Sequence, residues 1–372
     1  MARRFLETLV IPRGRGGFQE ALVIPRGRGG FQEASVIPRG RGGFQPGHTP
    51  QAITGVLLVN LGTPEAPTPR AIRRYLREFL WDPRMVELPR WIWWLVLNLL
   101  ILPLRAKRVA QAYGQVWRHG QGSPLKVHSM ALAVALARHF AGEAVCVEMA
   151  MRYGHPSVAQ GLARLREAGV GRLVVLPLYP QYASASTATV YDAVGAALRG
   201  WRYVPPVTLL GDYHAHPAYI AAIAAGIAAH RAAHGDSGHL LLSFHGLPDV
   251  SRRQGDPYHD QCLRSAGLIA EALGLQSAQW SIAFQSRFGR AEWLKPYCVD
   301  VLKELPQRGV RAVDVVCPGF AVDCLETLQE MAEENRRVFL AAGGEAYHYI
   351  PALNESPAHV ALLATLLKPY LV

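Results

Sequence analysis

Cysteine is scarce in this chain and poorly spaced for the structures cysteine usually builds. Its five copies, Cys146, Cys262, Cys298, Cys317 and Cys324, are odd in number and form no C-x-x-C pair. That argues against a disulfide framework and against a zinc ribbon. Long apolar runs are missing as well: the most hydrophobic stretch, Trp91 to Leu104, has 14 residues, short of the roughly 20 that cross a bilayer. The amino terminus carries arginines with no apolar stretch behind them, so a secretory signal is not expected and a reducing cytoplasm is. Charge is sparse, at 18% of residues, and acids are outnumbered by bases, 28 against 39. With 50% hydrophobic residues among 372, the chain has enough apolar material for two cores, and most of it is outside the disordered class.

The first 45 residues belong to a different regime. Leu9 to Ala21, Leu22 to Ala34 and Ser35 to Gln45 repeat almost verbatim with a period of 13 around Val-Ile-Pro-Arg-Gly-Arg-Gly-Gly-Phe-Gln. So much Gly, Pro and Arg cannot bury a core in so short a span, and a disordered tail is expected over residues 1–50. Eight arginines against three glutamates there supply five of the chain's eleven formal positive charges. The Arg-Gly-Gly-Phe units resemble segments that bind single-stranded RNA. Near-identity of the copies favours duplicated coding DNA without a selected role, because binding needs only the Arg, Gly and Phe positions to be kept. RNA is therefore not an expected partner.

From Gly55 onward, short apolar runs alternate with helical stretches. The runs are Val56 to Asn60, Ala144 to Met149, Arg172 to Leu178, Val207 to Leu210, His239 to Phe244, Trp280 to Phe284 and Val313 to Val316; alanine-rich stretches such as Met130 to His139 and Ile220 to Ala233 lie between them. This alternation predicts an α/β fold with parallel sheets and covering helices. The runs fall into two sets. They predict two doubly wound, Rossmann-like domains, 51–205 and 206–372, with the carboxyl-terminal helix packing back on the first.

Ser243-Phe244-His245-Gly246-Leu247-Pro248 follows the apolar run Leu240 to Leu242. A histidine at the carboxyl end of a buried parallel strand faces the crevice where open α/β sheets bind ligands, and there an imidazole can take a proton or ligate a metal near neutral pH. A lone histidine so placed is more often a core residue satisfied by one hydrogen bond. This one has company. The run Val313 to Val316 leads through Cys317-Pro318-Gly319-Phe320 into a helical stretch, 323–334, with Glu326, Glu330 and Glu334 at i, i+4 and i+8. On an α-helix these three carboxylates stack along one face. An acidic ridge beginning at a strand end, beside a ligand crevice, reads as a path for cations or protons.

At these residues the chain resembles the ferrochelatase (protohaem ferro-lyase) family, bacterial type. The resemblance runs from about Gly55 to the end through seven short motifs in the family's order. They are Val59-Asn60-Leu61-Gly62-Thr63-Pro64-Glu65, Gly122-Ser123-Pro124-Leu125, Met151-Arg152-Tyr153-Gly154-His155-Pro156, Leu178-Tyr179-Pro180-Gln181-Tyr182, the His245 motif, Gln285-Ser286-Arg287-Phe288-Gly289, and Pro318-Gly319-Phe320 through Glu326. It implies a class II chelatase-like fold and an enzyme that inserts ferrous iron into protoporphyrin IX to give protohaem, the last step of haem biosynthesis. It also implies His245 as proton acceptor or metal ligand, Glu326 as its carboxylate partner, and Glu330 and Glu334 as an acidic path. Leu61, Tyr113, Ser123, Arg152, Tyr153, Trp293 and Phe320 match porphyrin-binding positions. The chemistry agrees: a free-base porphyrin must lose two N–H protons before a metal enters its plane, so a base is needed at the ring centre, and ferrous iron accepts imidazole nitrogen and carboxylate oxygen. Some relatives hold a [2Fe-2S] cluster on cysteines. Here Ser184 stands at one such position and no cysteine follows Cys324, so no cluster, and no cofactor beyond substrate Fe2+, is expected.

Two other function classes remain open to the sequence. One is a chelatase for another tetrapyrrole, such as coproporphyrin, or cobalt insertion into sirohydrochlorin, whose eight carboxylates call for a more basic cleft than these apolar motifs offer. The other is a non-catalytic porphyrin or haem carrier, which would not need His245 and Glu326. Trp91 to Leu104, flanked by Arg90, Arg105, Lys107 and Arg108, suits either a buried helix or a membrane interface, where tryptophan sits at headgroup level and cations meet anionic lipid. In the family this region forms a lip beside the porphyrin cleft, which implies peripheral contact with the inner membrane. On the lip reading, serine at Trp93 and Leu97 weakens liposome binding; on the buried reading it destabilises the protein.

Overall fold

Eight parallel strands form two four-stranded sheets in the computed structural model, which describes residues 53–371 apart from His119, Ser237 and Arg290. The 13-residue repeats lie outside the described residues, and with them the expected disordered tail and its RNA reading. The first sheet has the order β2-β1-β3-β4, built from β1 (Thr54–Gly62), β2 (Val145–Tyr153), β3 (Arg172–Pro177) and β4 (Val207–Leu209). The second repeats the plan as β6-β5-β7-β8, with β5 (Leu240–His245), β6 (Trp280–Gln285), β7 (Ala312–Val316) and β8 (Ala346–Ile350). All pairs are parallel. The expected α/β class with two doubly wound parallel sheets is therefore what the chain adopts.

The central strands read as continuous apolar runs because helices cover both of their faces. Val56 to Val59 and Leu240 to Leu242 are completely buried. The sequence does not announce one strand: β8, Ala-Tyr-His-Tyr-Ile, buries only Tyr347 and Ile350 and leaves the other three residues half-buried, as suits its place at the sheet edge. Another was grouped with the wrong set. Val207–Leu209 bonds to β3 and forms an edge of the first sheet, so that sheet reaches beyond the 205/206 division.

Strand order fixes where a ligand can sit. From β1 the chain crosses to β2 on one side and then returns to β3 on the other, which opens a crevice at the carboxyl ends of β1 and β3. The same reversal opens a second crevice between the ends of β5 and β7. Leu61 and His245 stand at the carboxyl ends of β1 and β5, and the loops after β3 and β7 carry Tyr179 and Phe320.

Between β1 and β2 lie α1 (Pro69–Trp81), α2 (Arg90–Leu95), a π-helical turn (Val96–Ile101), α3 (Leu102–Val116) and α4 (Pro124–His139). The α2–α3 segment is two-faced. Trp93, Leu97 and Leu102 are buried with Leu80 of α1, whereas Trp91, Trp94, Leu99, Leu100 and Leu104 are exposed by 71, 51, 69, 54 and 68%. Trp93 and Leu97 are thus the wrong residues for testing a lip, because they form its internal support and the indole N–H of Trp93 donates to Leu80 O at 2.6 Å. The final helix, Pro357–Leu367, packs on α4 and on the helix Pro217–His234, and one apolar core runs through both sheets' covering layers.

Candidate active site

His245 ends β5 and is half-buried. Its Nδ1 lies 2.6 Å from the carbonyl oxygen of Gly246. A carbonyl can only accept, so Nδ1 carries the proton and, in the neutral ring, Nε2 keeps the lone pair. The next residue has to be glycine: a Cβ on Gly246 would lie 2.6 Å from Gln285 O and 3.2 Å from the Trp293 ring. Gly246 N donates to that same Gln285 oxygen, and Leu294 N and Asp249 N donate to Leu247 O and Glu292 O. These bonds lace the His245 loop to the loop bearing Trp293. Across the crevice, the Phe320 ring lies 6.4 Å from the His245 ring.

The helix that follows Phe320 departs from the sequence reading. Glu326–Asn335 winds as a π-helix, a geometry that is rare over ten residues and that gathers at functional sites. Its carboxylates lie at different depths. Glu326 is half-buried. Glu330 is half-buried too, but both its oxygens are engaged, one accepting from Ser286 N at 2.7 Å and the other from Ser286 Oγ at 2.6 Å. Burial raises the Glu330 pKa above the ordinary carboxylate range, while the Ser286 bonds and the nearby His245 pull it back. Glu334 is exposed and accepts from Gln329 Nε2 at 2.7 Å. Three glutamates therefore run from the crevice to solvent on a π-helix, in place of the uniform α-helical ridge expected.

Gln285, fully enclosed at the end of β6, anchors the start of this helix. Its amide N–H donates to Glu326 O at 3.4 Å and its oxygen accepts from Ser243 Oγ at 2.9 Å. Asp323 does the same from below, accepting from Thr327 Oγ1, Tyr349 OH and Asn354 Nδ2 at 3.0, 2.6 and 2.8 Å. Ser286 itself has φ +64°, a backbone region that costs a non-glycine residue about 1–3 kcal/mol.

The first sheet supplies the facing wall. Tyr113 of α3 is buried near Glu326, and its hydroxyl is pushed well above the usual pKa, first by burial and then by that carboxylate. The Tyr75 hydroxyl is raised too, first by burial and then by Tyr113, and donates to Gly62 O at 3.2 Å. Arg152 and Tyr153, at the end of β2, both bind Asp82, the arginine as an ion pair and the tyrosine OH at 2.9 Å. Leu61 is half-buried at the end of β1. Ser123 caps α4 by accepting from Lys126 N at 3.3 Å. Tyr113, Ser123, Tyr153 and Trp293 are each exposed by 7% or less, so a macrocycle touching them must displace neighbouring side chains.

The structure thus brings His245, Glu326, Glu330, Phe320, Trp293 and Tyr113 to one crevice and puts Leu61, Arg152 and Tyr153 at the strand ends opposite. Ser123 acts in a helix cap, and Glu334 stands at the surface. Sequence reasoning missed Asp82, Tyr75, Gln285 and the role of Ser286. The last two sit in a quoted motif, whereas nothing in the sequence marks Asp82 as the partner of Arg152. His214 binds Asp212 at 2.5 Å and His216 caps the next helix. All five cysteines are buried.

Two parallel-sheet units of this kind give the chain a chelatase-like α/β fold. Solved structures agree on the fold. SirB from Bacillus subtilis with Fe3+ superposes with TM-score 0.53 over 86% of this chain and 96% of its own, at 12% identity. The sirohydrochlorin chelatase SirB of B. subtilis subspecies spizizenii, in complex with cobalt, gives 0.50 over 85% and 94%, again at 12% identity. Sequence relatives are much nearer. The ferrochelatase family profile matches residues 53–371. The ferrochelatase of Methylococcus capsulatus is 55% identical over 87% of this chain and 98% of its own length, and that of Aeromonas hydrophila is 50% identical over 84% and 97%. The chain belongs to the ferrochelatase family.

Proposed function

We propose that this ferrochelatase inserts ferrous iron into protoporphyrin IX to form protohaem, with His245 at the ring centre and Glu326 as its partner. The observation that carries the reading is the 2.6 Å contact of His245 Nδ1 with Gly246 O. With Nδ1–H bound to Gly246 O, Nε2 is presented as a base to a pyrrole N–H or as a ligand to the incoming metal. The Glu330 carboxylate lies within electrostatic reach of His245. Glu326 then offers oxygen to iron or receives the second proton, and Glu334 is the exposed end of the line. Phe320, Trp293, Tyr113 and Leu61 supply apolar and aromatic surface for a flat macrocycle. Arg152 and Tyr153 add polar anchors, and Ser123 holds the turn before α4.

The hydrophobic substrate suggests where the enzyme works. Among the described residues no helix is long and apolar enough to cross a membrane. The exposed face of Trp91 to Leu104 instead serves as a peripheral contact at the cytoplasmic side of the inner membrane. Charge supports this: ten Lys or Arg against four Asp or Glu between residues 65 and 118 account for all six positive charges that residues 46–372 hold in excess. Cations beside exposed tryptophan and leucine favour an anionic lipid surface.

His245→Ala tests the central assignment. Porphyrin binding, followed by fluorescence, should persist while iron insertion falls by about 100-fold or more, the loss typical of a missing general base. Retention of more than about a tenth of wild-type turnover, against that expected loss, would overturn it.

A further inference from the structure

We infer that Ser286 is a positioning residue for metal delivery, holding the Glu330 carboxylate beside His245 so that Glu330 is a fixed anion and not a carrier that swings along the helix. This rests on the assignment of His245 and Glu330 to the insertion site. β5 and β6 are in register at His245 and Gln285, so Ser286 follows the residue paired with the catalytic histidine. Its backbone turns to φ +64° there, and the amide N–H and the hydroxyl both point at Glu330, one to each oxygen, at 2.7 and 2.6 Å. Both oxygens are thereby committed to donors on a different element. Gln285 ties the same strand end to Glu326 O. The spacing between strand and helix is therefore set at two successive residues, and the carboxylate cannot follow a change in side-chain rotamer without breaking two charge-assisted bonds.

Ser286→Gly is the informative substitution, because glycine adopts the positive φ without strain and keeps the amide N–H while removing only the hydroxyl. Its KM for ferrous iron should rise about tenfold, the effect of one lost hydrogen bond to a charged group, with KM for porphyrin unchanged and no fall in melting temperature. Glu330→Gln should raise the same KM at least as much. The double variant should add little to it, the non-additivity of two groups acting through one contact. Wild-type KM for iron in Ser286→Gly, beside an impaired Glu330→Gln, would overturn the role of the serine and leave Glu330 in place. Wild-type iron kinetics in Glu330→Gln would overturn the assignment of Glu330 itself. A parallel rise in both KM values with a lowered melting temperature would make the serine merely structural and also defeat the inference.

Discussion

His359 shows how far burial moves a single group. Enclosed in the last helix with Nδ1 at 2.5 Å from Asn354 O, its pKa is driven down to about 4, first by desolvation, with the backbone bond pulling the other way. The folded chain therefore holds it neutral while the unfolded chain takes a proton near pH 6.5. A depressed histidine contributes stability that is whole above the unfolded pKa and is lost as pH falls toward the folded one, here about 3 kcal/mol between pH 6.5 and 4. Urea midpoints at pH 7, 6 and 5 should fall steadily in the wild type and less steeply in His359→Gln; equal slopes would contradict the assignment. Nothing in the sequence distinguishes this histidine from thirteen others. His245 was legible because a strand end has a known direction relative to the crevice, and Glu326 because it follows another such end. Asp82 was not, since its contact with Arg152 spans 70 residues and depends on packing that no local pattern encodes.

At the scale of elements, the segment from α2 to α3 separates two kinds of leucine. Leu97 is fully buried, so Leu97→Ser should cost about 2–5 kcal/mol and lower the melting temperature. Leu99→Ser with Leu100→Ser lies on the open face, where each change should shift stability by no more than about 0.5 kcal/mol. That pair should lower vesicle affinity about tenfold or more, as two lost apolar insertions imply, in a flotation assay with anionic liposomes. Unchanged flotation would remove the lip as a docking surface. The short apolar length ruled out a membrane span, but which residues face outward follows from a helix that changes from α to π winding partway along. The same holds for Glu326–Asn335: glutamates four apart announce a helix and an acidic side, whereas a shift of the backbone bonds by one residue has no compositional mark. β8 was missed because an edge strand with half-open faces has weaker apolar patterning than the central strands that announced the fold.

For the whole molecule, alternation of runs and helices was enough to reveal two parallel sheets, since each central strand is apolar on both faces. The way the sheets are joined was less visible. Leu132 and Leu136 of α4, Ile223 and Ile227 of the second long helix, and Leu363 and Leu367 of the last helix share one core with β1 and β5. His128 of α4 also lies 2.5 Å from Glu355, just ahead of that last helix. Two units with a common core should melt together. Scanning calorimetry should give one transition whose van't Hoff and calorimetric enthalpies agree, and two resolved peaks would show that the halves are independent. The return of the final helix to α4 also has a consequence during synthesis. At roughly 5–20 residues per second, the ribosome needs on the order of 10–45 s after His139 to make Leu367, and for that interval the apolar side of α4 waits without its cover. The first half of this enzyme emerges early yet is completed only when the helix Pro357–Leu367 has been made, so its maturation waits on a segment more than 200 residues downstream.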